Sequence, residues 1–442
     1  MLFAVRGFRI LVEIVTRFTR LGFLSSPLEK CVSCHHRQLL VEIESLRNKK
    51  ERFIVKTNFD FMMPSVNFFG PGVIEKIGDR ANMLHMKKAL IVTDHFLRNM
   101  ENGPVKQTET SLQAAGVDYV IFDGVEPNPK IRNVHAGAAM YREAGCDSII
   151  TVGGGSAHDC GKGIGIFLSN GEDLTKLAGI ETLTEPLPPL MAVNTTAGTA
   201  SEITRHAVLT NEETHLKFVV VSWRNVPLVS FNDPLLMLDV PQKLTAATGM
   251  DALCHCVESY VSENRNPITD AQAEQGIKLI GQYLRRAVAN GHDLEARTNM
   301  SYASLLAGMA FNNADLGYVH AMAHQLGGQY DAPHGVCCAV LMPTVERWNM
   351  IACPERFAKI AVMLGENIDG LSQMDAAEKG IAALERISED VGIPANIKSI
   401  GADPKDFELM AANALQDGNA FSNPRKGNQA DLVALFEAAY EG

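Results

Sequence analysis

Asp251 and His255 stand four residues apart in Gly249-Met-Asp-Ala-Leu-Cys-His255. His320 and His324 repeat that spacing in Tyr318-Val-His-Ala-Met-Ala-His324, and His334 follows ten residues on. In a helix, positions i and i+4 share a face, so each pair can present two donor atoms to one point. Three of the chain's 13 histidines fall within fifteen residues, in apolar surroundings. One such histidine would read as a hydrogen-bonded core residue. Two ligand-type pairs together with His334 predict a metal site. Imidazoles with a carboxylate suit Fe2+ or Zn2+ better than Mg2+ or Ca2+, which take all-oxygen shells. Five protein donors would leave little room for a substrate, so one histidine has another task, such as relaying a proton. Residue type and spacing leave open which of His320 and His324 that is. Cys254 and Cys256 flank His255 and face elsewhere on the same helix.

A second group of residues suits an anion. The apolar run Ser148–Val152 leads straight into Gly153-Gly-Gly-Ser156, with Asp159 and Lys162 beyond it on an expected helix. Glycines let the backbone approach a pyrophosphate, and the free N–H groups and dipole of a helix start favour its charge. The turn is not GxGxxG, so by itself it is also an ordinary strand-to-helix turn. Asn194-Thr-Thr-Ala-Gly-Thr-Ala-Ser-Glu202 follows another apolar run and offers hydroxyls and small residues beside a nucleotide. Asp94 ends the run Lys88–Thr93, where a carboxylate can accept from ribose hydroxyls and repel a 2′-phosphate. A helix N-cap is the competing role for Asp94.

The elements that must position these residues come in two kinds. From about Asn58, strand-length apolar runs (88–93, 119–122, 148–152, 190–193) alternate with amphipathic stretches such as 106–115 and 132–143. Continuous apolar runs between helices signal parallel βαβ units. Beyond about Pro241 the strand signals fade, and long Ala/Leu/Met-rich segments (270–289, 294–309) predict a helical domain. The expected organisation is an α/β dinucleotide-binding domain over 58–240 and an all-α metal-binding domain over 241–442. Residues 1–57 are an expected extension outside the fold.

Composition bounds the rest. An apolar fraction of 46% and a charged fraction of 21% are those of a globular protein, and a net charge of −11 argues against nucleic-acid or anionic-membrane binding. No apolar run approaches the roughly 18–20 residues of a membrane span. Nine scattered cysteines without a framework spacing argue against disulfides and for a reducing, cytoplasmic compartment. Residues 1–56 carry eleven Lys and Arg against five Glu. Their Arg-containing start lacks both the uninterrupted apolar core of a secretory signal and the acid-poor, Ser-rich character of a transit peptide. They read as a segment from an early start site, with organellar targeting as the alternative. Cys31-Val-Ser-Cys34-His35 spells a c-type haem attachment site, but no haem-packing domain accompanies it.

Taken together, Gly153–Lys162, Asn194–Glu202, Asn232-Asp-Pro234, Met250–His255, Gly317–Gly327, Pro333-His-Gly335 and Asn423-Pro-Arg425 resemble the iron-dependent (group III) alcohol dehydrogenases. The likeness runs from Asn58 to the end; residues 1–56 have no counterpart in the bacterial pattern. It implies a dehydroquinate-synthase-like fold and NAD as cofactor. It implies Fe2+, with Zn2+ the alternative, on Asp251, His255, His320 and His334, and His324 as the catalytic extra histidine. The implied NAD contacts are Asp94, Asn128, Gly154, Gly155, Ser156, Thr195, Thr196, Thr199 and Lys217. The implied substrates are primary alcohols or diols, such as ethanol or 1,3-propanediol, and the corresponding aldehydes, in a homo-oligomer. Rival activities on the same fold are those of glycerol dehydrogenases and of dehydroquinate-synthase-like lyases. The latter need a Lys/Arg cluster for a phosphorylated sugar acid, which the metal motifs lack.

Overall fold

The computed structural model describes residues 59–62, 66–171, 173–214 and 216–442, and the 1–57 extension with its Cys-Val-Ser-Cys-His stretch lies outside them. The first half runs β1 (Val66–Phe69), α1 (Ile77–Met83), β2 (Lys88–Val92), α2 (His95–Asn99), α3 (Pro104–Ala114), β3 (Asp118–Phe122), α4 (Ile131–Ala144) and β4 (Ser148–Gly153). It continues through α5 (Gly155–Asn170), β5 (Gly179–Ile180), β6 (Leu190–Asn194), β7 (His206–Asn211), β8 (Leu216–Val221) and β9 (Val229–Asn232). Six strands form one parallel sheet in the order β1-β9-β6-β4-β2-β3. Its central strands are apolar throughout because both faces are covered. Leu90, Val92, Ile149 and Leu190 join one core with Val134 and Ile164 of α4 and α5. The alternate residues Ala89, Ile91, Ile150, Val152, Met191 and Val193 join the opposite core with Ile77 and Leu112 of α1 and α3. Period-two alternation thus feeds two helical layers from one strand.

A second sheet, β5-β8-β7, has an antiparallel β7–β8 pair, so the chain is not built from parallel units alone. Its strand β7 alternates at first, with Ala207 and Leu209 buried and His206 and Val208 partly exposed. One face rests on the core and the other lines the cleft described below.

From Gln242 the described chain is helical: α6 (Gln242–Val261), α7 (Pro267–Ala289), α8 (Leu294–Ala314), α9 (Tyr318–Tyr330), α10 (His334–Asn349), α11 (Pro354–Met363), α12 (Gln373–Asp390), α13 (Phe407–Ala414) and α14 (Gln429–Glu441). The helix expected from residue 270 starts three residues earlier. Asn266 caps it by accepting from Ile268 N and Thr269 N, and Pro267 takes the first turn, where a missing N–H costs nothing. Helix α6 is the axis of this half, and every residue from Gly249 to Val261 is buried. Its polar members, Asp251, His255 and Glu258, therefore need partners inside the protein. Among the described residues, no helix is long and apolar enough to cross a membrane.

Candidate active site

The parallel sheet fixes where a ligand can sit. From β2 the chain steps outward to β3, returns past β2 to β4, and continues to β6 and β9. The order therefore reverses between β2 and β4, and in open α/β sheets ligands occupy the crevice at the carboxyl ends of such strands. There β2 ends beside Asp94, and β4 ends in the glycine turn. Gly154 is the N-cap of α5 and no side chain caps it, so the helix start keeps donors for an anion. Gly153 pairs with Asn194, which lays the 195–199 loop against the turn. A Cβ on Gly155 would stand 2.7 Å from Thr199 Cγ2, and one on Gly154 2.9 Å from Thr196 Oγ1. Only glycine fits this contact.

A cleft of about 700 Å³ opens from this point, and Asn128, Gly155, Ser156, Thr199 and Lys217 line it. Gly154, Thr195 and Thr196 are not on its wall. They back the turn, with Thr195 N donating to Gly153 O at 3.0 Å and Thr196 N to Asn194 Oδ1 at 3.1 Å. Asp94 caps α2 by accepting from Leu97 N at 2.9 Å, so the capping role is realised, at the mouth of the switch point.

The other end of the cleft is lined by Asp251, His255, His320, His324 and His334. Asp251 Oδ1 lies 3.9 Å from His255 Nε2, 3.7 Å from His320 Nε2 and 3.6 Å from His334 Nε2. These gaps are too long for hydrogen bonds. They approach the ~3.4 Å between donors that share a metal at ~2.1 Å in a tetrahedron. Asp251 Oδ1 and His320 Nε2 are buried without a hydrogen-bond partner. Orphans of this kind cost about 1–3 kcal/mol each, more when charged, and a shared cation removes that cost. Burial alone would raise the Asp251 carboxyl, but the imidazoles of His255, His334 and His320 reverse this and hold it well below the ordinary carboxylate range. Burial lowers His255 to about 4, leaving a neutral ring with a lone pair to give. The donor set fits a dication of the iron or zinc type.

Three local features hold the donors there. A Cβ on Gly335 would stand 2.4 Å from Ala247 O, so this glycine lets the start of α10 close on α6 and bring His334 to Asp251. Glu258, one turn beyond His255 on α6, bonds Nδ1 of His320 and accepts from Val319 N at 2.8 Å. A carboxylate behind an imidazole fixes its tautomer and strengthens it as a donor. Burial would lower His320, but Glu258 and Asp251 raise it to about 9. Phe311 stacks on His255 with ring centroids 4.3 Å apart.

His324 stands apart from this group, with Nδ1 bonded to Asp417 Oδ2 at 2.7 Å and its ring stacked 5.5 Å from that of His334. Glu258 and Asp417 were not among the residues expected from sequence. Glu258 carried a signal, since Asp251, His255 and Glu258 form one stripe at spacings of four and three. Asp417 carried none.

Residues 64–234 match the family described as iron-containing alcohol dehydrogenase, and residues 245–440 match the C-terminal part of the Fe-containing alcohol dehydrogenase family. The 1,3-propanediol dehydrogenase of Klebsiella pneumoniae is 62% identical over 382 residues, 86% of this chain and 99% of that relative. The chain belongs to the iron-containing alcohol dehydrogenases. The solved alcohol dehydrogenase from Oenococcus oeni superposes with a TM-score of 0.85 at 69% identity, over 87% of this chain and 100% of that one. Sulfoacetaldehyde reductase from Bifidobacterium kashiwanohense, solved in complex with NAD+, superposes with a TM-score of 0.75 at 28% identity, over 87% of this chain and 99% of that one. The parallel sheet followed by a helical half is the fold of these enzymes. As an iron-containing alcohol dehydrogenase, the chain is an oxidoreductase that interconverts alcohols and aldehydes.

Proposed function

We propose that the enzyme oxidises primary alcohols or diols, and reduces the matching aldehydes, with NAD and with iron held by Asp251, His255, His320 and His334. The orphaned Asp251 carboxylate ringed by three imidazoles, in the same cleft as the glycine turn, carries this reading. The 62% identity to a 1,3-propanediol dehydrogenase supports a three-carbon diol among the substrates. A 58–240 nucleotide domain and a 241–442 metal domain would form the two walls of that cleft. Family membership supports a homo-oligomer, and the buried free thiols suit a reducing, cytoplasmic setting.

Bound at these residues, iron supplies Lewis acidity toward the alcohol oxygen, and NAD supplies the hydride acceptor. The protein's part is placement and proton handling. The α5 start, Gly154, Gly155 and Ser156 hold the pyrophosphate, backed by Thr195 and Thr196, while Asn128, Thr199 and Lys217 set the cofactor along the wall. Asp94 faces the ribose. His324, oriented by Asp417 through Nδ1, passes the alcohol's proton outward from Nε2. Phe311 dries the wall beside His255.

The test is the purified chain stripped of metal and reloaded with Fe2+ or Zn2+, against ethanol, butanol, 1,3-propanediol and lactaldehyde. NADH should form from 1,3-propanediol with the reloaded enzyme, and chelation should stop it. Absence of turnover on every primary alcohol after reloading, or an undiminished rate after chelation, would overturn the reading. Asp94→Gly should also raise the NADP:NAD ratio of kcat/KM by about tenfold, roughly 1.4 kcal/mol, because the carboxylate repels a 2′-phosphate. Glycine replaces a cap at a cost of only a few tenths of a kcal/mol, so helix loss would not mask the effect. An unchanged ratio removes Asp94 from cofactor choice.

A further inference from the structure

His334 opens α10 and Cys338 lies four residues on, one turn along the same face. Cys338 Sγ is 3.6 Å from His334 Nε2, and the donor atoms of Asp251, His320, His334 and Cys338 all lie within 4.8 Å of one another. A metal with bonds of about 2.3 Å to sulfur and about 2.05 Å to nitrogen separates those two atoms by about 3.6 Å at the tetrahedral angle. Cys338 is fully buried, and Asp251 Oδ1 and His320 Nε2 beside it lack hydrogen-bond partners. His255 falls outside this set, yet stands 3.9 Å from the same Asp251 oxygen. Two four-donor sets thus share three residues and differ only in an imidazole against a thiol. A buried cysteine usually acts as a small apolar residue, and an S–H···N contact would also account for 3.6 Å. Its neighbour Cys337 is just as buried but is absent from the donor set, so burial alone does not put a thiol there.

We propose that Cys338 is an alternative metal donor, able to take the place of His255 as the fourth ligand, and that it lets this enzyme hold zinc as readily as iron. Thiolate is the softer ligand and favours Zn2+. Binding breaks the S–H bond, forms a metal–sulfur bond and releases the proton to water in the cleft. The inference rests on the metal-site reading above, and the test separates the two.

The full chain is loaded with Co2+ alone. Visible d–d bands report cobalt in the site, and a near-ultraviolet sulfur-to-cobalt charge-transfer band reports the thiolate. Both are expected in the wild type. The near-ultraviolet band should vanish in Cys338→Ala and Cys338→Ser and persist in Cys337→Ala. In competition, Cys338→Ala should lower zinc retention relative to iron by about tenfold. Visible bands without a near-ultraviolet band in the wild type, or a band that survives in Cys338→Ala, would overturn the proposal and leave the site reading intact. Absence of cobalt binding overturns both. Absence of the near-ultraviolet band in the wild type is decisive even if a variant fails to fold, and Cys338→Ser, which keeps the shape of the side chain, guards the assignment when it is present.

Discussion

Asp251→Ala should strip the metal and lower alcohol turnover by about 10³-fold or more, because Lewis-acid stabilisation is worth several kcal/mol. Asp251 is the most exacting choice among the donors. All three imidazoles are positioned against one of its oxygens, and it is the anionic member of the proposed four-residue set. A dication among three neutral rings keeps only part of its charge compensation, while the cost of leaving water is unchanged. Asp251→Asn retains the shape and isolates the charge, so it should lose metal as well. His324→Ala is the informative contrast. Its ring is tied to Asp417 instead of facing Asp251, so metal content should hold while kcat falls by about 10²–10⁴-fold, the usual worth of a positioned proton-transfer group. Metal per chain and NADH formation, measured on the same preparations, decide the matter. Stoichiometric metal and full rate in Asp251→Ala would remove it from the site, and metal loss in His324→Ala would make that residue a ligand.

That contrast marks the limit of what spacing could reveal. The pairs Asp251/His255 and His320/His324 look alike in sequence, since each puts two donors on one helix face. What separates His320 from His324 is the carboxylate behind each, Glu258 for one and Asp417 for the other. Asp417 lies 93 residues from its partner and no local period announces it. The central strands were legible because burial on both faces makes them apolar throughout. The half-covered β7–β8 pair dilutes its signal with exposed residues and was not anticipated. The glycine turn was legible as a strand end running into a helix start that no side chain caps. Cys338 stands four residues after His334, the same spacing as the other two pairs.

Lys162 shows the same limit from the side of stability, and its replacement should have the largest effect on the fold. The sequence sets it one turn after Asp159 on the helix behind the glycine turn. The structure buries it completely, away from the cleft. Its Nζ lies within hydrogen-bond reach of four acceptors, Ser201 O at 2.7 Å, Ser201 Oγ at 3.0 Å, Thr204 O at 2.9 Å and His206 O at 2.7 Å, which share its three N–H bonds. Ser201 Oγ in turn donates to Asp159 Oδ1 at 2.6 Å. Burial lowers the ammonium to about 8 against the pull of Asp159 and Glu202, so it remains charged at neutral pH. The lysine therefore pins the turn from Ser201 to His206, whose Ser201, Thr204 and His206 line the cleft between the glycine turn and the metal donors. Lys162→Met keeps the length but withdraws every donor. Several carbonyls are then buried unpaired beside an uncompensated Asp159, at a combined cost of about 3–5 kcal/mol. The thermal midpoint should fall by about 5 °C, and KM for NAD should rise as the turn loosens. Arginine should not rescue it, because a planar fork cannot converge on acceptors arranged around a point charge. A midpoint within a degree or two of wild type would mean that the four contacts contribute nothing net. The turn would then be held by its packing against α5 and α8 alone.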